Sequence, residues 1–217
     1  MRETAEPAGG SPREPAYDRV AGCYDRWMRP FERAGLTRLR ARALGRVAAA
    51  LDGREGGGRL LEVGAGTGGN FPHYPAGARA ACVEPSREML LRASAKPQRP
   101  ADSLLVQSFA ERLPFAAETF DVALTTLVFC SVESPPRAMA ELRRVVRAGG
   151  LVVLLEHVRP RGPLGYAFDA LSLFTVPLFG DHFNRRTADE ARRAGLELLT
   201  VENYLFGVVQ LIVCRAV

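Results

Sequence analysis

The chain has 217 residues, 47% of them hydrophobic and 24% charged, which excludes a disordered chain and suits one domain with a sizeable core. Its formal net charge of +5 rests almost wholly on arginine, Lys96 being the only lysine. These arginines are scattered rather than interleaved with aromatics, so the charge reads as solubility and not as a nucleic-acid surface.

Residues 1–15 are polar, lack the apolar core of a signal peptide and read as a disordered tail. Residues 16–51 read as helical, broken into two pieces by Pro30 and Gly35. Leu36, Leu39, Ala43, Leu44 and Val47 recur there at helical spacing, with Arg33, Arg38, Arg40, Arg42 and Arg46 forming a basic set on the same segment. After a loop at 52–58, apolar runs at 59–65, 78–84, 103–109, 120–129 and 151–158 predict strands. These runs are continuous rather than alternating, the pattern of strands buried on both faces of a parallel sheet.

The intervening pieces suit helices. Segment 86–95 opens on Ser86 as an N-cap. Segment 134–150 opens on Ser134 and two prolines, carries Met139, Leu142 and Val146 on one face, and closes on glycines. Segment 187–195 places Thr187 and Glu190 as a capping box. Two last runs, 196–206 and 207–217, meet near Gly207 with no helix between them and predict an antiparallel pair at one edge. The expected fold is α/β: a Rossmann-like, doubly wound, seven-stranded sheet with an antiparallel C-terminal edge strand and a helical N-terminal extension.

The four cysteines, Cys23, Cys82, Cys130 and Cys214, lie far apart without a CxxC pair, so neither a disulfide framework nor a metal site is expected. The longest membrane-span candidate, 163–180, is interrupted by Asp169 and Pro177, and a cytoplasmic location is the expectation.

The chemistry centres on 60-LLEVGAGTGGNFPHYP-75. Gly64, Gly66 and Gly69 spell GxGxxG after a predicted strand, and Glu84 lies twenty residues past Gly64, where a dinucleotide fold carries its ribose acid. A ligand without phosphate needs the same glycines and the same acid, so the loop alone leaves both open. Glu62, just before the loop, would repel a pyrophosphate and suits an ammonium group.

EVGAGTG, then CVEPSREML, then AERLPFAAETFDVALTTLVFCSV, then LRRVVRAGGLVVLLEH resemble, in this order, the motifs of class I S-adenosylmethionine-dependent methyltransferases. The resemblance covers residues 16–217. Within that class the chain is similar to the branch of quinone-biosynthesis C-methyltransferases and phosphatidylethanolamine N-methyltransferases, while GTGGNFPHYP, TLVFCSVESP and LLEHV most resemble the alkyl-thiol methyltransferases of animals.

The resemblance implies S-adenosyl-L-methionine as cofactor and assigns residues by position. Gly64, Ala65, Gly66 and Gly68 would lie along its methionyl part, with Glu62 near the amino group. Asn70 closes this set and opens the acceptor-side stretch 70–75, where His73 and Tyr74 would shape the entrance. Glu84 would accept both ribose hydroxyls, and Pro85 and Met89 would flank the adenine. Ala110 and Glu111 would meet the adenine edge, and Leu127 would face the sulfonium. Phe109 departs from the acidic residue common in relatives and cannot accept a hydrogen bond from the adenine amino group. Tyr17 and Tyr24 resemble lid tyrosines.

Methyl transfer from a sulfonium is an in-line displacement, so positioning is the main demand and a base is needed only for a protonated nucleophile. His157, after the fifth strand with Glu156 beside it, is the candidate base, and Tyr24 the second candidate catalytic group. Residues 16–51 are read as a helical lid, 59–158 as the cofactor-binding core and 159–187 as an acceptor-side insert of one domain, 16–217. The Phe- and Leu-rich insert points to a small hydrophobic or lipid-like acceptor: a thiol first, then an aminophospholipid, then a quinone precursor. Peripheral membrane contact would use the same insert with the N-terminal arginines. No Asn/Asp-Pro-Pro-Tyr follows the fourth strand, which argues against DNA adenine methylation, and no nucleic-acid partner is expected. Two alternatives stay open: an NAD(P)-dependent oxidoreductase and a non-catalytic S-adenosylmethionine-binding protein.

Overall fold

In the computed structural model, which describes residues 17–160, 162–179, 182 and 184–217, one sheet holds seven strands. They are β1 (Arg59–Val63), β2 (Arg79–Glu84), β3 (Leu104–Gln107), β4 (Phe120–Thr126), β5 (Val146–His157), β6 (Glu197–Tyr204) and β7 (Val209–Arg215), in the order β3-β2-β1-β4-β5-β7-β6. The first five run parallel, and β7 lies antiparallel between β5 and β6. The expected antiparallel pair stands at the edge, with β6 outermost and the last strand inside it. The expected tail, 1–15, lies outside the described residues.

Two apolar cores sandwich the sheet. One joins Leu61, Val63, Ala123, Val152 and Leu154 to α4 (Pro135–Val145) and α6 (Thr187–Arg193). The other joins Leu60, Cys82, Leu124, Val153 and Leu155 to α2 (Thr37–Leu51) and α3 (Arg87–Ser94). Strand alternation then decides which polar side chains share a face. Glu62, Glu84, Thr126 and His157 follow the α2 side, whereas Thr125 and Glu156 follow the α4 side.

The N-terminal helices divide differently from expectation. Pro30 sits inside α1 (Ala21–Phe31), one residue from its end, and the break is a π turn at Glu32–Leu36 where Gly35 takes φ 130°. Only glycine adopts that angle readily. The basic set on α2 is not a free face: Arg42 donates to the Tyr204 hydroxyl (2.8 Å) and Arg46 pairs with Glu202 (2.6 Å), tying α2 to β6.

Two helix ends also correct the reading. α4 stops at Val145 and residues 146–150 open β5, because Val146 pairs with Phe120 and Gly149 donates to Ala216. Gly150 marks a close backbone approach, since a Cβ there would stand 2.6 Å from the Asp121 carbonyl. At α6 Arg186 is the N-cap and Thr187 the first helical residue, so no capping box forms. Ser86 caps α3 as expected, accepting from the Met89 amide at 3.1 Å. The insert contributes α5 (Pro163–Phe179), which runs through Asp169 and Pro177. Among the described residues no helix is long and apolar enough to cross a membrane.

Candidate active site

Ligand sites of open α/β sheets lie beyond the carboxyl ends of the strands, and the glycine loop leaves β1 there. The Gly64 and Ala65 amides both donate to the Val83 carbonyl (2.8 and 3.0 Å), which folds the loop back over β2. Gly64 (φ 74°) and Gly68 (φ 80°) serve packing: a Cβ on either would stand 2.3 Å from Val128 or Phe71 respectively. Gly66 (φ 54°) is different. Nothing lies within 4 Å of where its Cβ would be, and it faces a cavity of about 320 Å³. The cavity wall includes Tyr24 and Met28 of α1, Arg40 of α2, the loop 64–67, His73 and Thr126.

Behind that wall lies a buried polar network. Asn70 Nδ2 donates to Glu62 Oε1 (2.6 Å) and to Thr126 Oγ1 (2.9 Å), while its Oδ1 accepts from Arg40 Nη1 (3.0 Å). Arg40 Nη1 also donates to Thr126 (2.9 Å), and Arg40 Nε to Glu32 (2.9 Å). The Tyr74 hydroxyl donates to Glu62 Oε2, so Tyr74 turns inward rather than shaping the entrance. Burial pushes the Glu62 carboxyl up to about 7, against the pull of Tyr74, Asn70 and Arg40. Glu62 is 1% exposed, with each oxygen held by a side chain. Glu62, expected near the cofactor's amino group, therefore meets the cavity wall through Asn70 and Arg40 and does not itself line the cavity.

Glu84 closes the other side of the loop. Its Oε2 accepts from the Gly66 amide and its Oε1 from the Ser86 amide, both at 3.0 Å, and burial raises its carboxyl above the usual range. α1 is fastened over the same region. The Asp18 carboxylate, just before α1, accepts from the Ser86 hydroxyl, and Asp25 accepts from Thr67 (2.5 Å) and pairs with Lys96 (3.2 Å). Arg40 and Lys96 both escaped the sequence reading. Arg40 looked like its neighbours on a basic helix. Lys96 carried a signal that went unused, as the one lysine of an arginine-rich chain.

The remaining expected residues are dispersed. Tyr24 lines the cavity and packs edge-on against Tyr17 with ring centroids 6.0 Å apart. Leu127 follows β4 with φ 59°, its amide donating to Leu155. Pro85 is half-buried and Phe109, 49% exposed, stands open to solvent. Met89 and Ala110 are buried; Met89, expected beside the adenine, is a core residue of α3. Glu111 Oε1 accepts from the amides of Glu133 and Ser134 (2.9 and 3.1 Å), which ties its carboxylate to the start of α4. His157 ends β5 opposite Val209 and is not among the residues lining the cavity; burial lowers its pKa. Glu156 does not orient it. That carboxylate points to the other face and accepts from Thr125 Oγ1 (2.6 Å) and the Val128 and Phe129 amides (2.9 and 3.1 Å). In the insert, Arg185 donates to Val132 and Asn184 to Asp169.

A second cavity, about 440 Å³, opens at the opposite end of the sheet, walled by Arg54, Arg59, Arg79, Arg147 and Asp121. Asp121 pairs there with Arg54 (2.9 Å) and Arg147 (2.6 Å), and no glycine-loop residue reaches it. Among the described residues no group of three or more His, Cys, Asp or Glu is placed to hold a metal ion.

Residues 61–154 match the family described as methyltransferase domain. A phosphatidylethanolamine N-methyltransferase of Cereibacter sphaeroides is 36% identical over 163 residues, covering 72% of this chain and 77% of that one. A thiol S-methyltransferase of Mus musculus is 33% identical over 159 residues, covering 70% of this chain; the chain spans 65% of that relative's length. Among solved structures, a SAM-dependent methyltransferase from Thermotoga maritima superimposes with a TM-score of 0.64 at 23% identity, covering 93% of this chain and 99% of that one.

Proposed function

Since the chain belongs to the S-adenosylmethionine-dependent methyltransferases, we propose that it methylates a small hydrophobic or lipid-like acceptor in the 320 Å³ cavity, a thiol before an aminophospholipid or a quinone precursor. The observation that carries the reading is Gly66: its open face, backed by Glu84, is a cradle that any side chain would fill and that fits a cofactor's backbone approach. The same geometry speaks against NAD(P), for the loop backs onto a buried carboxyl network rather than a site for phosphate.

S-adenosylmethionine supplies an electrophilic methyl group on a sulfonium. The chain's residues hold the partners. Glu84 fits the ribose hydroxyls, keeping lone pairs beyond the two it gives to amides. Tyr24 and Met28 form the lid side of the acceptor space, which supports an apolar acceptor. A thiol, with a free pKa of about 8.5, needs little help to become a nucleophile. His73, on the cavity wall, is the histidine best situated to take a proton, and the role first read for His157 passes to it. Reaching a lipid-like acceptor fits peripheral contact with a lipid surface. Exposed Trp27 and Phe31 on α1, flanked by exposed Arg26, Arg29 and Arg33, suit it, as do Tyr166 and Leu173 on α5.

The test is a screen of alkyl thiols, aminophospholipid vesicles and quinols for acceptor-dependent release of S-adenosylhomocysteine. Turnover with thiols is the expected result. Turnover only with vesicles or only with quinols would move the assignment to that class, and cofactor binding without turnover on any of them would favour a non-catalytic binding protein.

A further inference from the structure

Arg40 is an unusual residue for its position. Its side chain is 8% exposed, it comes from a helix whose other arginines face outward, and it lines the cavity. Of its five N–H donors, Nε serves Glu32 and Nη1 serves Asn70 and Thr126. Nη2 donates to no group among the described residues. Thr126, also on the wall, accepts from both Asn70 and Arg40, so its hydroxyl proton is the bond it has left to give. The guanidinium packs against the glycine loop, 3.5–3.7 Å from where a Gly69 Cβ would be.

We propose that Arg40 Nη2, with the Thr126 hydroxyl, receives the carboxylate of the cofactor's amino-acid end, an inference that rests on the methyltransferase reading above. The chemistry favours this over a neutral ligand group. A guanidinium that lines the cavity with one nitrogen left without an acceptor gains most from an anionic one, and a carboxylate takes a charge-assisted pair of hydrogen bonds. Position favours the cofactor over the acceptor, because Arg40 borders Gly69 at the end of the loop that Gly66 opens. Lys96, the other cation on the wall, is committed to Asp25 and Thr67. Glu62 then has a defined part: through Asn70 it fixes the guanidinium plane. Arg40 is thus a binding residue and Glu62 a positioning residue.

The experiment is calorimetric titration of S-adenosylhomocysteine and of its decarboxylated counterpart against wild type, Arg40→Gln, Arg40→Lys and Lys96→Met, with acceptor KM measured alongside. Wild type should bind the complete ligand at least about tenfold more tightly than the decarboxylated one, the scale of a charge-assisted bond. Arg40→Gln should lose that preference by weakening only the complete ligand, and Arg40→Lys should keep part of it. Should the Gln variant fail to fold by circular dichroism, the Lys variant carries the comparison, since its point-charge ammonium lacks the guanidinium's fork and should hold only part of the preference. The proposal is overturned if the variants keep the wild-type preference, weaken both ligands equally, or raise acceptor KM alone. Loss of the preference in Lys96→Met instead would also overturn it. A wild type that binds neither ligand would sink the cofactor reading itself.

Discussion

Glu62 and Glu156 end neighbouring parts of one sheet, each fully buried and each raised to about 7 by desolvation, yet they do different things. Glu156 is spent on Thr125 and two backbone amides, which pins the turn after β4. Glu62 is held by Asn70 and Tyr74 and reaches the cavity through Arg40 and Thr126. One closes on the backbone and the other opens onto a site. A displaced pKa therefore marks burial in both, and only the partners identify function.

The comparison is broken most forcefully by truncation. Glu156→Ala leaves two amides and a hydroxyl without their acceptor and should cost on the order of 3 kcal/mol of stability in urea unfolding. Glu62→Ala should cost a comparable amount but also weaken S-adenosylhomocysteine binding about tenfold in calorimetry, by freeing Asn70 and Arg40. If both variants weakened the ligand equally, the distinction between pin and relay would be lost.

Gly66→Ala sharpens the contrast from the loop side. Its left-handed φ costs about 1 kcal/mol in a melt, while the methyl group intrudes on the cavity and should lower cofactor affinity more than tenfold. Gly64→Ala should do the reverse, destabilising by about 2–4 kcal/mol because its Cβ would overlap Val128.

pH separates the pair more gently. Both carboxyls ionise near 4.5 when unfolded and near 7 when folded, so between those values the unfolded chain has released protons the native one keeps. This stability contribution is complete below about pH 4.5 and is lost as pH rises to about 7. Glu62→Gln and Glu156→Gln should each remove their share of that slope in denaturant melts from pH 5 to 7. The smallest expected effect is on proton transfer: His73→Ala should slow turnover of an amine or quinol acceptor more than of a thiol, and His157→Ala should alter kcat less than His73→Ala does.

What the sequence made legible follows the same division. Buried strands announce themselves as apolar runs, so the sheet and its antiparallel pair were readable. Residues 146–150 were not: the RAGG stretch ends a helix on local grounds, and only pairing with Phe120 and Ala216 makes it strand. The glycine loop and Glu84 were readable because backbone approach constrains residue type locally. Arg40 was hidden because α2 repeats arginine at 38, 40, 42 and 46, and which of these turns inward depends on the Glu32–Leu36 turn and the network beneath it. Alternation along β5 separates Glu156 from His157, and it was available in the letters EH once the strand's phase was fixed.

α1 carries a last consequence. Among the described residues of α1 only Ala21 is buried; the polar contacts of Asp18 and Asp25 fasten this region over the glycine loop and α3, and a glycine-containing turn follows it. So little apolar area anchors it that its detachment should cost far less than global unfolding, making α1 a separate cooperative unit of low local stability. Its amides should exchange with deuterium well before those of β1 and β4. The traffic of product out of the cavity would then be timed by that detachment and not by the sheet, whose rigidity is spent on holding the loop in place.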